Sequence, residues 1–350
     1  MIVKNLLVVG VVAGFATAAA AAEEGKSNFK VGAKVRMDNV QSTTETTNAG
    51  SAKTTEKSSA ISLNRAQFDL TGTHGSDTLY VKYYAESNYL RTATVTHKFS
   101  DMISATFGKM QMLAQSYETD YSSTDMYLYS AANMVGIKGT DSSGAKIGLS
   151  FGDHSLAIQA LQGLSTVEDA TFKSSGGLTT AIQYRGNINN MIRPLISYTM
   201  VRTSGSTTTA DSKTAANYGD GYQTQMGAGV QVDAAGATVD LELDTVKNHK
   251  QKGSTGKDSN VQSIIAQVKY PVGMTTPFIK FVSDSAKYGA AQDVGDMART
   301  AMAVGVEHKL DSSCRLHAVY TSDNSTTKAG TAGDNKVAET GFNIGVTAAM

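Results

Sequence analysis

Residues 29–38 read Phe29-Lys30-Val31-Gly32-Ala33-Lys34-Val35-Arg36-Met37-Asp38. In an extended chain, successive side chains point to opposite faces. Phe29, Val31, Ala33, Val35 and Met37 therefore share one face, and Lys30, Gly32, Lys34, Arg36 and Asp38 share the other. One face carries no charge, while the other carries nearly nothing else. Such a strand suits a wall with hydrocarbon on one side and water on the other. A soluble sandwich strand can alternate in the same way, so the remaining segments have to decide.

The alternation runs the length of the chain. Ile61 and Leu63 are followed by Ala66, Phe68 and Leu70, with a change of phase near Arg65 that predicts a bulge. Leu79, Val81, Tyr83 and Ala85 alternate with Lys82, Tyr84 and Glu86. Further sets are Ala145 to Phe151, Met226 to Val232, Val239 to Leu243, Ile264 to Tyr270, Met302 to Val306, Leu316 to Tyr320 and Phe342 to Met350. Between them, short links alternate with long ones. Gly152-Asp153-His154, Ala234-Ala235-Gly236 and Asp311-Ser312-Ser313 are short; 39–58, 110–132, 164–177, 203–221, 247–260, 284–299 and 323–338 read as long. Membrane barrels have short turns at one rim and long loops at the other, which a sandwich has no reason to do.

Residues 1–22 have the form of an export leader: Lys4, an apolar run from Leu6 to Ala16, then Ala20-Ala21-Ala22 before Glu23. That predicts a domain organisation of leader 1–22 and one barrel domain, 23–350. Composition excludes several classes. Lys+Arg 31 balances Asp+Glu 31, which removes the basic surface that nucleic acid requires. Cys314 is the only cysteine, so neither a disulfide framework nor a cysteine-rich zinc site is available. No window after the leader is an apolar run long enough for a spanning helix. With both termini at the short-turn rim, the strand number must be even. The segments divide into sixteen, with fourteen and eighteen as the neighbouring alternatives. The expected fold is all-β, a transmembrane antiparallel β-barrel of sixteen strands.

Ile61-Ser62-Leu63-Asn64-Arg65-Ala66-Gln67-Phe68-Asp69-Leu70-Thr71-Gly72 resembles the second strand of Gram-negative diffusion porins, especially the branch related to phosphate-selective porins. Ala105-Thr106-Phe107-Gly108-Lys109 resembles the strand before the inward-folded third loop of porins, and Val304 to Leu310 with Leu316 to Tyr320 resembles their penultimate hairpin. The final strand ends in Met350 where porins commonly end in Phe, and no Trp is present, leaving Tyr and Phe for the interfacial girdle. The resemblance implies an outer-membrane homotrimer, in contact with lipid, that passes small hydrophilic solutes and needs no cofactor. It also implies a third loop, 110–132, inside the barrel.

Selectivity in such a channel depends on bore and on charge at its narrowest ring. Lys34, Arg36, Arg65 and Lys82 lie on the inward phase of the early strands, whereas the expected third loop carries Glu118, Asp120 and Asp125. A basic wall facing an acidic loop predicts a constriction with a transverse field. Asp240, Glu242 and Asp244 form an acidic stripe on one strand face, tolerable only beside water. It reads as a hydrated wall, with a cation-favouring or divalent-ion site as the sharper alternative. Arg185, Arg193, Lys269, Lys280, Lys309 and Arg315 also point inward, without a traceable ladder. No histidine pair has His-Glu-x-x-His spacing, and Gly253-Ser254-Thr255-Gly256-Lys257 lacks the phosphate-loop spacing. No catalytic or metal-ligating residue is therefore assigned, and the expected protein is not an enzyme. The alternatives are a structural or adhesive barrel with a closed lumen and, behind it, a rim hydrolase using His249.

Overall fold

A computed structural model describes residues 27–113, 117, 141–162, 178–202, 222–249, 259–288, 296–328 and 334–349. Sixteen strands follow one another: β1 (Asn28–Thr47), β2 (Thr54–His74), β3 (Asp77–Tyr84), β4 (Tyr89–Lys98), β5 (Ile103–Gln111), β6 (Asp141–Phe151), β7 (His154–Leu161) and β8 (Thr179–Gly186). The second half supplies β9 (Ile192–Arg202), β10 (Tyr222–Ala234), β11 (Ala237–His249), β12 (Ser259–Lys269), β13 (Thr275–Tyr288), β14 (Met297–Lys309), β15 (Cys314–Lys328) and β16 (Asp334–Ala349). Each pairs with its chain neighbours, and β1 pairs antiparallel with β16, so the sheet closes into one barrel. Closure leaves no sheet edge along the spanning part, the condition for strands in hydrocarbon.

The two phases of each strand face different surroundings. Val35, Met37, Phe107, Ile147, Ile196, Leu241, Leu243, Ile264, Phe281, Val304, Tyr320 and Ile344 are exposed on the outer surface. Their sequence neighbours Arg36, Thr106, Glu242, Ser263, Val282 and Val319 are buried on the inner one. The expected bulge is present: Arg36 opposes Arg65 and Met37 opposes Leu63, leaving Asn64 as the extra residue of β2. A second register shift, between Lys82 and Tyr83, leaves Arg91 as the extra residue of β4.

Several of the expected long loops are shorter than the sequence suggested. Segment 39–58 is mostly strand: β1 and β2 have 20 and 21 residues and stay paired as far as Thr46 and Thr54. Segment 323–338 likewise belongs largely to β15 and β16, paired as far as Lys328 and Asp334. Spanning the bilayer takes only about 9–11 tilted residues. The excess is rich in Thr, Ser and charged residues on both faces, so it stands beyond the apolar band, where hydrophobic alternation has no reason to continue. By contrast β3 has 8 residues, and Ala85 and Glu86, expected in that strand, lie in the four-residue link Ala85–Asn88 to β4.

Candidate functional site: the inner wall

The inner wall carries three polar constellations, each assembled by strand register. The first closes the seam between the chain ends. Asp38 on β1, Gly345 on β16 and His317 on β15 stand in one row. Because Gly345 has no side chain, Asp38 reaches across it, and His317 Nε2 lies 2.8 Å from Asp38 Oδ1. A Cβ at position 345 would overlap Asp38 Oδ1 and the His317 ring. Arg36 Nε donates to the same carboxylate at 3.0 Å, and Asn64, the bulged residue, donates to its other oxygen. The bulge thus places an amide where regular pairing would have turned it away.

The second constellation lies on β2 to β4. Arg65 lies over the Tyr84 ring with 4.0 Å from Cζ to the ring centroid, and Arg91 lies 5.1 Å from it. Arg91 Nη1 donates to the Tyr84 hydroxyl at 2.6 Å, and Arg65 Nη1 is 3.8 Å from Glu86. Lys82 lies 5.7 Å from the Tyr80 ring, whose hydroxyl donates to Asp69 at 2.7 Å. Lys34 opposes Gln67 in the same arc.

The third occupies β9 to β15. Arg193, Gln231, Asp240, Gln267 and Lys280 stand in one row across five strands. Arg193 Nε donates to Gln231 Oε1 at 2.6 Å, Gln231 Nε2 to Asp240 Oδ1 at 2.6 Å, and Gln267 Nε2 to Asp240 Oδ2 at 3.1 Å. Nearer the outer rim, Ser263 Oγ donates to Asp284 Oδ1 at 2.5 Å. Arg299 Nη1 donates to Asp284 Oδ2 at 2.7 Å, and its Nη2 to Asp323 at 2.5 Å. Ile265, Val282 and Ala301 lie between these belts and pack, buried, with Phe278, Ala303 and Val319 on the same wall.

The connection after β5 turns onto the inner wall. Gln159, an inward residue of β7, receives the Leu113 amide on its Oε1 at 2.8 Å and donates its Nε2 to the Gln111 carbonyl at 2.9 Å. Met110 and Met112 pack on Leu161 beside it. Tyr117 then reaches the arc of β9 and β10, where its hydroxyl donates to the Arg193 carbonyl. Its ring lies over Gly229, where a Cβ would come within 3.1 Å of it. Burial pushes the phenol up to about 12; Arg185 and Arg193 act against this, while Asp240 and Glu242 reinforce it.

All the site residues expected on strands face inward. Arg36 and Arg65 are 4% and 9% exposed, and Asp240, Glu242 and Asp244 are 1%, 5% and 2% exposed. The expected basic arc is less one-signed than the sequence suggested, because Asp38, Asp69 and Glu86 stand among its cations. Glu118, Asp120 and Asp125 lie outside the described residues, as do residues 1–22 and 133–140. Among the described residues no group of His, Cys, Asp or Glu is placed to hold a metal ion, so the divalent-ion reading of the acidic stripe is not taken further. His317, Arg91 and Arg299 were not singled out in the sequence. The inward phase of His317 and Arg299 is readable, but their partners lie on other strands; Arg91 shares the parity of outward Val95, and only the register shift in β4 frees it from that phase.

No family model matches the chain, and no curated protein does. Solved structures match over almost the whole length. The outer-membrane protein OmpT of Vibrio cholerae superposes with a TM-score of 0.66 at 12% identity, covering 94% of this chain and 99% of that one. The anion-selective porin from Comamonas acidovorans gives 0.66 at 14%, covering 93% and 100%. The outer-membrane channel DcaP of Acinetobacter baumannii gives 0.65 at 10%, covering 94% and 99%. The fold is that of outer-membrane porins. Known porins of about 16–18 strands enclose an aqueous channel.

Proposed function

We propose that this chain is an outer-membrane porin through which small hydrophilic solutes and ions diffuse passively. In this reading residues 1–22 are removed on export, the barrel assembles as a homotrimer, and no chemical step or cofactor is involved. One observation carries the proposal: Tyr117, on the connection between β5 and β6, is seated on the inner face of β9 and β10. A side chain seated inside a wide barrel narrows it without filling it. The narrowing would lie between the guanidinium arc of Arg36, Arg65 and Arg91, with Lys34 and Lys82, and the carboxylate stripe of Asp240, Glu242 and Asp244. Opposed charges across an aqueous opening between low-dielectric walls set up a transverse field, which aligns dipolar solutes and penalises apolar ones.

The likeness of Ile61–Gly72 to the phosphate-selective branch would ask for an uninterrupted basic path. Arg36 is instead held by Asp38 at 2.7 Å, and the acidic stripe occupies the other arc. General diffusion with mild selectivity therefore fits better than strong anion selection. The test is reconstitution of purified protein in a planar bilayer. Discrete conductance steps, in groups of three for a trimer, are expected. A closed trace at all voltages would instead favour the adhesive barrel with a closed lumen.

A further inference from the structure

β6 carries an inward cation outside the three constellations described above. Lys146 alternates with Ile147, which is exposed on the outer surface, and stands in register with Thr106 on β5 and Gln159 on β7. Thr106 and Gln159 are buried, while Lys146 between them is half-buried. Gly144 and Gly148 are the next inward residues along β6, so no side chain of that strand stands directly above or below the ammonium. Among the described residues Lys146 makes no hydrogen bond or ion pair. Other inward cations differ: Arg193 is held by Asp233 at 2.5 Å, and Arg36 by Asp38 at 2.7 Å.

Donors outnumber acceptors in this row. Lys146 brings three N–H donors and no acceptor. Gln159 is fixed by the connection after β5: its Oε1 accepts from the Leu113 amide and its Nε2 gives one hydrogen to the Gln111 carbonyl, which leaves the second. Thr96 and Thr106 share one hydrogen bond at 2.9 Å, which leaves one of their two hydroxyl hydrogens. No carboxylate on the inner face of these strands balances the surplus. β3 to β9 carry Asp77 and Asp141 alone, both at strand ends on the outward phase, against inward Lys82, Arg91, Lys98, Lys146, Arg185 and Arg193. Asp101 and Asp153 lie in short turns, five or more residues along the strands from this row, and Glu86 in the β3–β4 link faces Arg65. The acids of connections 118–140 and 163–177 lie outside the described residues. Donors shielded from bulk water need an acceptor. We propose that Lys146, with Thr106 and Gln159 on either side, is a stop at which small carboxylate-bearing solutes pause on their way through the lumen. A carboxylate supplies two oxygens with about four lone pairs and no hydrogen of its own, and it brings the counter-charge that the ammonium lacks.

The inference rests on the channel reading and names a solute class for it. Wild type, Lys146→Met and Lys98→Met are reconstituted in planar bilayers. Lys98, exposed on the inward phase near the short turns, is the control in which one positive charge is lost elsewhere along the lumen. Reversal potentials are read across a potassium acetate gradient, and conductance is followed as acetate concentration rises. One unit charge about 6 Å from an anion in water changes that anion's occupancy by roughly threefold. Lys146→Met should therefore lower the acetate-to-potassium permeability ratio by about that factor. Lys98→Met should lower it less, and Lys146→Arg should keep it near wild type. Wild-type conductance should level off at high acetate, as for a site that fills, and that of Lys146→Met should keep rising. An unchanged ratio in Lys146→Met, an equal fall in Lys98→Met, or a wild-type conductance proportional to acetate throughout overturns the proposal. Heat-modifiable migration reports on folding, and Lys146→Gln takes the place of Lys146→Met where the latter does not fold. A wild type that never opens would instead remove the channel reading, and the stop with it.

Discussion

Replacing Tyr117 by alanine and by phenylalanine separates the two contributions that hold this side chain on the inner face of β9 and β10. Tyr117 is 8% exposed, so alanine removes nearly the whole ring from its contacts. Truncating a buried aromatic costs about 3–5 kcal/mol, and the lower end suits a ring seated on a wall beside solvent. Phenylalanine keeps the ring and removes only the hydrogen bond to the Arg193 carbonyl, about 1 kcal/mol. A seat worth about 4 kcal/mol in total leaves on the order of one molecule in a thousand unseated. Without the hydroxyl the fraction rises to roughly one in a hundred and sixty, and without the ring the two states become comparable. Single-channel recording reads this directly. The alanine variant should show larger mean conductance and excess open-channel noise, and the phenylalanine variant should resemble wild type. Because the phenol is pushed up to about 12, its hydrogen bond should be indifferent to pH across the neutral range. An alanine variant with wild-type conductance and noise would refute the reasoning, since the ring would then hold nothing that the current senses.

Gly345→Ala forces Asp38 and His317 apart and leaves buried polar groups unpaired, at about 1–3 kcal/mol; the unfolding temperature in detergent should fall, and an unchanged melt would discount the seam. Arg65→Glu should move the reversal potential in a salt gradient toward cations, with no movement if Arg65 stands away from the narrowest ring. Leu241→Arg, on the outer surface, should hinder insertion by roughly 2–4 kcal/mol near the bilayer midplane, measured by folding into vesicles. Asp311 in the turn before β15 accepts hydrogen bonds from the Ser313 hydroxyl and from the Ser313 and Cys314 amides, which hold its carboxyl below the ordinary range. A carboxyl lowered by folding stabilises above its unfolded pKa and loses that contribution as pH falls through the folded one. Asp311→Ala should therefore melt below wild type at neutral pH, with the gap closing in strong acid.

How much was legible follows from which physics is local. The two-residue period of Phe29–Asp38 and Val239–Asp244 exposed the wall, because hydrocarbon and water act on each side chain separately. The bulge at Arg65 showed as a slip of phase. The ends of β1, β2, β15 and β16 were not legible, since above the apolar band both faces are wet and Thr54–Ser59 carry no alternation. The row Arg193–Gln231–Asp240–Gln267–Lys280 was hidden for another reason: it is set by register across four hairpins, which one strand does not encode. Asp38 and His317, 279 residues apart, meet only once the barrel is shut and a glycine stands between them.

The uneven strand lengths would shape the way into the proposed channel. β1 and β2 rise as a palisade on one side, and directly beside them the chain doubles back over the four residues Ala85–Asn88. The mouth is therefore cut on a slant at this point, like the end of a quill. In the proposed channel a solute passing the tall strands would meet a hydroxyl-rich fence, whereas Arg65 lies near the β3–β4 link, 3.8 Å from Glu86 within it. Approach from the notch would let charge sort solutes before size does.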